Sequence, residues 1–132
     1  MAARAHRQSF ELPGVTHAAP IPMAARVGNM VFSSGIAGKD PATDTLPLEP
    51  EREAQFAFDN MKRLLEIAGS GVGDVGHMTV FINDNAMRDH VNREWLKHFP
   101  DEHDRPARHT ILQPNLPGGM RVQIEIIAVV AG

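Results

Sequence analysis

The stretch Glu51 to Ile82, EREAQFAFDNMKRLLEIAGSGVGDVGHMTVFI, sets the fold class. Its first part carries apolar side chains at Ala54, Ala57, Phe58, Met61, Leu64, Leu65 and Ala68. Steps of three and one residue keep these on one face of an α-helix, so the spacing predicts a helix over 51–68 with a single buried stripe. Pro50 suits a first helical turn, and the glycines between Gly69 and Gly73 supply the stop. From His77 to Ile82 the period changes to two: Met78, Val80 and Ile82 share one face, among β-branched and aromatic neighbours. That short run predicts a strand.

Downstream, Met87, Val91, Trp95 and Phe99 recur every four residues, which predicts a second helix over 85–99, ended by Pro100. Beyond it, Ala107 to Gln113 alternates in part, and Val122, Ile124, Ile126, Ala128 and Val130 line one face of a terminal strand. The turn Asn115 to Gly119, NLPGG, lies between these two strands and would close them into a hairpin. Upstream, Met30 to Ile36 reads as a strand behind the turn dipeptide Gly28-Asn29, which links it to a short strand over 24–27. A first strand is expected near Gln8 to Leu12, and Lys39 to Pro50 forms a Pro- and Asp-rich loop. The order implies an α+β fold: a single mixed β-sheet with both helices packed on one face. The terminal strand is also apolar on its second face, at Ile127 and Val129, and an uncovered apolar sheet face predicts self-association.

The 132 residues are expected to form one domain, 1–132, with a flexible N-terminal stretch over 1–7. There is no Cys and no Tyr, so thiolate nucleophiles, disulfides, Cys-ligated metal centres and phenolic acids are excluded within the chain. Thirteen Lys and Arg against sixteen Asp and Glu give a net charge of −3, without the basic excess that nucleic-acid binding needs. Apolar runs such as Ile126 to Ala131 fall far short of the roughly 20 residues that span a bilayer, so no membrane partner is expected. The N-terminal MAARAHRQ has no apolar stretch of signal-peptide length behind it, and the expected location is cytoplasmic.

Glu125, in Val-Gln-Ile-Glu-Ile-Ile-Ala, sits at the apolar end of a strand, where an unpaired carboxylate is costly. It is either a rim residue bonded to Arg121 or another base, or a general base of raised pKa that holds a water. Arg108, in Pro-Ala-Arg-His-Thr, would lie one strand pair from Glu125 if the hairpin closes. It then either pairs with Glu125 or grips a substrate carboxylate in a bidentate fork. An Arg and a Glu in one cleft, without thiol or phenol, suit hydrolysis of a small carboxylated substrate by an activated water. His98, His103 and His109 cluster among acidic residues, but their spacings of five and six match no local zinc signature, and no metal is expected. Gly35-Ile-Ala-Gly-Lys-Asp departs from a phosphate loop at Ser33 and Asp40, and neither Ser33 nor Ser34 stands in a nucleophile motif.

Four segments together are distinctive: Gly28-Asn-Met-Val-Phe-Ser-Ser-Gly35; the helix from Ala54 to Gly69; Val91-Asn92 with Trp95 and Phe99; and Pro106-Ala-Arg108 followed by Leu116-Pro-x-Gly and Ile124-Glu-Ile-Ile-Ala. From about Pro20 to Val130 the chain resembles the RidA (YjgF) family of reactive-intermediate deaminases. The resemblance implies a chorismate-mutase-like fold assembled as a homotrimer, with sheets facing inward, helices outside and ligand clefts between subunits. It implies hydrolysis of enamines and imines of 2-oxo acids to the oxo acid and ammonia, without a cofactor. It would assign Arg108 to the substrate carboxylate, the Gly35 and Thr110 backbones to further hydrogen bonds, and Glu125 to the attacking water, with Ser34 near it. Asn92 and Phe99 match positions at the cleft wall. A tyrosine of many deaminating members is replaced by Ile21, and a glutamine by Ile36, which implies a more apolar cleft.

The reading that follows is an enamine or imine deaminase acting on a small carboxylated metabolite. A non-catalytic trimeric protein that holds a small carboxylate is the alternative. A nuclease or translation inhibitor, as relatives are sometimes labelled, conflicts with the net charge and the scarcity of stacking aromatics.

Overall fold

The computed structural model describes residues 6–131. Of the stretch expected to be flexible, residues 1–5 lie outside the described ones, and Arg7 already opens a strand. The strands are β1 (Arg7–Phe10), β2 (Ala24–Val27), β3 (Met30–Ser33), β4 (Ile36–Ala37), β5 (Val75–Ile82), β6 (Ala107–Leu112) and β7 (Val122–Val129). Two helices, α1 (Pro50–Ile67) and α2 (Met87–His98), complete the fold with two single 3-10 turns. All strands belong to one sheet in the order β1-β2-β3-β7-β5-β6, with β4 also on β7.

The helix α1 follows its sequence signals closely. Pro50 occupies its first turn beside Glu51 and Glu53. At its end Gly69 takes φ +81°. The Gly69 N–H then donates to Glu66 O at 3.1 Å and the Ser70 N–H to Leu65 O at 2.8 Å. This left-handed stop closes the helix and satisfies its last carbonyls. The predicted stripe, from Ala54 through Leu65, is buried against Val31, Ile36, Met78, Val80, Ile82, Val122, Ile124 and Ile126 on one face of the sheet. Both helices lie on that face, and α1 packs on α2. Among the described residues no helix is long and apolar enough to cross a membrane.

Two expectations about strand pairing are corrected. β6 and β7 form no hairpin: β5 lies between them, antiparallel to β7 and parallel to β6. Parallel neighbours need a crossover, and α2 supplies it between β5 and β6, which leaves β6 at the sheet edge. The strand read from Met30 to Ile36 is broken. Phe32 pairs with Ile127 but Ile36 with Ile124, so one extra residue is accommodated around Ser34 and Gly35, opposite Glu125. This β-bulge re-aims the chain at that point. The other face of the sheet carries no helix and exposes Phe32, Ile127 and Val129.

Candidate functional site

The residues singled out in the sequence fall into two groups on opposite sides of the sheet. The first gathers at the edge strand β6. Arg108 aligns with buried Met78 in the parallel β5–β6 ladder, so its side chain leaves the sheet on the helix side and meets α2. Arg108 Nε donates to Thr110 Oγ1 at 3.0 Å, and Nη2 donates to Asn92 Oδ1 at 2.7 Å. Its guanidinium carbon lies 4.9 Å from the centre of the Trp95 ring. Phe99 is buried and backs that ring at 4.8 Å. Asn92 and Trp95 present themselves together because they are three residues apart on α2.

No acidic side chain among the described residues forms an ion pair with Arg108. Burial first, and then the like charge of Arg88, push its pKa below the ordinary arginine value, yet a guanidinium remains a cation at neutral pH. A half-buried cation held rigidly by neutral partners has an unmet demand for an anion.

The second group lies on the open face. Glu125 aligns with Thr79 on β5, on the side opposite buried Ile124 and Ile126. It borders a shallow hollow of about 200 Å³ lined by Phe32, Ser33, His77, Thr79, Glu125, Ile126 and Ile127. The bulge runs along its β3 side. Ser33 Oγ accepts the Ile126 N–H at 2.9 Å, and Ser34 Oγ donates to Pro22 O at 2.8 Å. A Cβ on Gly35 would stand 2.4 Å from the Gln123 amide carbon, so a side chain there would have to displace the end of Gln123. Ile21 is exposed, one residue from the Pro22 carbonyl that Ser34 binds. Ile36, by contrast, is wholly buried on the helix side, so it lines no cleft and the expectation that it makes one more apolar is corrected.

Arg108 and Glu125 therefore do not share a cleft within one chain, nor do they pair. One strand separates theirs, so their backbones are roughly 10 Å apart and their side chains point away from each other. Arg121 does not hold Glu125 either. Its Nη1 donates to Glu53 Oε1 at 2.7 Å, its backbone N–H to Glu53 Oε2 at 2.7 Å, and its other guanidinium nitrogen to Leu48 O. Glu53 is completely buried on α1, so the ion pair ties the start of β7 to the helix layer. His98, at the end of α2, bonds Glu94 O; His103 sits beside Glu102 in a loop; His109 is on β6. They do not converge.

The sequence marks Trp95 as a helix position and part of the distinctive Val91–Phe99 segment, but not as the ring beneath Arg108. The signal was its spacing from Asn92. Thr79 and His77, and Ser33 outside any nucleophile motif, surround Glu125 only because β5 and β3 both flank β7, which the sequence does not report.

A family model described as endoribonuclease L-PSP matches residues 16–130. A 2-iminobutanoate/2-iminopropanoate deaminase from Dermatophagoides farinae is 36% identical over 115 residues, covering 84% of this chain and 86% of the relative. The enzyme of that name from Escherichia coli strain K12 is 32% identical over 111 residues, covering 83% and 87%. The crystal structure of E. coli TdcF with bound serine superposes with a TM-score of 0.83 at 31% identity, over 94% of this chain and 99% of that one.

Proposed function

Because the chain belongs to the endoribonuclease L-PSP (RidA/YjgF) family, we propose that it is a hydrolytic deaminase converting a carboxylated enamine or imine to the 2-oxo acid and ammonia. The observation that carries this reading is Arg108: a fixed, partly desolvated guanidinium with no acidic partner among the described residues, suited to a carboxylate of small size. In this reading the chain is one domain and forms a homotrimer with its sheets facing inward. The apolar residues on the open face support that burial. Each cleft then takes Arg108, Thr110, Asn92 and Phe99 from one subunit and Glu125, Ser34, Gly35 and Ile21 from its neighbour. Two copies answer the geometric problem that one cannot, since the two groups face opposite sides of the same sheet.

Arg108 fixes the substrate by its carboxylate, with Asn92 and Thr110 holding the fork in place. Thr110 Oγ1 accepts from Arg108 Nε, which leaves its O–H able to donate to the substrate beside the backbone. Water attacks the iminium carbon while Glu125 takes its proton, and the same proton passes to the nitrogen before the C–N bond breaks. Ser34 donates to Pro22 O, which leaves its oxygen free to accept an N–H or a water. Exposed Ile21 beside it gives this wall an apolar surface.

The test generates 2-iminobutanoate in situ and follows its loss with the wild type and Glu125→Ala. The wild type should exceed buffer, and the variant should fall by about 10²-fold or more. A wild type no faster than buffer across several imines would refute the deaminase reading and leave carboxylate binding. Equal rates for the two proteins would remove Glu125 from water activation.

A further inference from the structure

When the substrate arrives as an enamine, Glu125 stays an ionised base throughout only if a second group supplies the first proton. Before water can attack, the terminal carbon of the C=C bond must gain a proton, and this calls for an acid while the carboxylate is ionised to receive the proton of water. The hollow around Glu125 contains one side chain suited to it. His77 lies on β5, opposite Ile127, so Glu125 is its diagonal neighbour on β7, about 7–8 Å away along the backbone and within reach of a common substrate. Both side chains line the same hollow with Ser33, Thr79 and Phe32. His77 is exposed on the open face, and among the described residues its ring makes no side-chain hydrogen bond or ion pair. The other titratable group facing it there is His109, which aligns with Thr79 on the far side of β5.

We propose that His77 is a second catalytic residue, the general acid that protonates the enamine carbon. This deepens the deaminase reading and rests on it. The imidazolium proton goes to the terminal carbon, the π pair becomes the new C–H bond, and the nitrogen lone pair forms C=N⁺. Water adds to that carbon, losing a proton to Glu125. Glu125 passes it to the nitrogen, and ammonia departs with the C–N bonding pair. The hydroxyl left on carbon becomes the carbonyl of the 2-oxo acid by giving its proton to Glu125, again a carboxylate, which releases it to water, and water reprotonates neutral His77. Only imidazole, among side chains of unperturbed pKa, populates acid and base forms near neutral pH. Thr79, between His77, His109 and Glu125, has no such capacity.

Two sources of substrate separate this role from a structural one. An amino-acid dehydratase releases enamine, whereas an amino-acid oxidase releases imine directly. With His77→Gln, turnover of the enamine should drop by about 10²-fold while turnover of the imine stays within about twofold of wild type. His109→Gln should behave as wild type on both. If His77→Gln matches wild type on enamine, or loses both activities equally, or if the selective loss falls on His109→Gln, His77 is not the acid and the deaminase reading stands. A wild type inactive on both substrates overturns that reading and this inference with it.

Discussion

Replacing Arg108 separates a bidentate carboxylate grip from a simple positive charge. Of the five N–H groups of a guanidinium, Thr110 engages the one on Nε and Asn92 one of those on Nη2. Both N–H groups on Nη1 and the second on Nη2 remain, side by side, which is the edge that accepts a carboxylate end-on. Two charge-assisted bonds of about 1.5–3 kcal/mol each are at stake. Arg108→Lys keeps the charge but one bond at most, and loses the flat contact with Trp95, so the affinity for a 2-oxo acid product should weaken by about 10- to 100-fold. Arg108→Ala removes both bonds. Because the site is half open to water, the lower part of the range applies, about 3–4 kcal/mol or a few hundredfold. Titration calorimetry with 2-oxobutanoate reads the affinity, and KM for the imine should move with it. The melting temperature should not fall, since among the described residues the substitution breaks no ion pair. A Kd for Arg108→Ala within twofold of wild type, or Arg108→Lys indistinguishable from wild type, would refute the reasoning.

Two further predictions concern the frame around the site. Glu53→Ala leaves the Arg121 and Val122 N–H groups without their acceptor beneath the helix layer, and should cost about 3 kcal/mol in urea unfolding at fixed protein concentration. A loss below about 1 kcal/mol would show that the pair is dispensable. Asp44 accepts hydrogen bonds from the Thr16 hydroxyl and backbone N–H, and these hold its pKa below the ordinary 3.8. A carboxylate depressed in the folded state stabilises above its unfolded pKa and loses that stabilisation as pH falls through the folded pKa. Asp44→Asn should therefore be less stable than wild type at pH values well above 3.8, and the two curves should converge in acid; a constant gap would contradict the assignment.

The helices and the strand at His77 to Ile82 were legible because each is a local pattern: a stripe of period 3.6 or an alternation of period two, with Pro50, Gly69 and Pro100 as punctuation. Strand neighbours were not. NLPGG looks like a hairpin turn, but the crossover through α2 places β6 parallel to β5, and nothing in the residues of β6 and β7 reports that β5 lies between them. The bulge at Ser34 and Gly35 also left no periodic trace, since one extra residue simply lengthens an apolar run. For the site, Arg108 and Glu125 could be named from residue type and resemblance. The side each faces could not, because the alternation in Arg-His-Thr-Ile is too weak to orient an edge strand. The buried Glu53–Arg121 pair was hidden for a different reason: an acidic residue in a first helical turn is ordinarily solvated, and its partner is 68 residues away.

The central claim is that one cleft draws Arg108 and Glu125 from different copies of the chain, and subunit mixing tests it directly. Arg108→Ala and Glu125→Ala proteins, each inactive alone on an imine, are unfolded together in equal amounts and refolded. In random homotrimers with a cleft at every junction, about a quarter of the clefts would receive Arg108 from one parent and Glu125 from the other, so about a quarter of wild-type activity should return. A mixture as inactive as its parents would mean that both residues must come from the same chain, contrary to the two-faced geometry of the sheet.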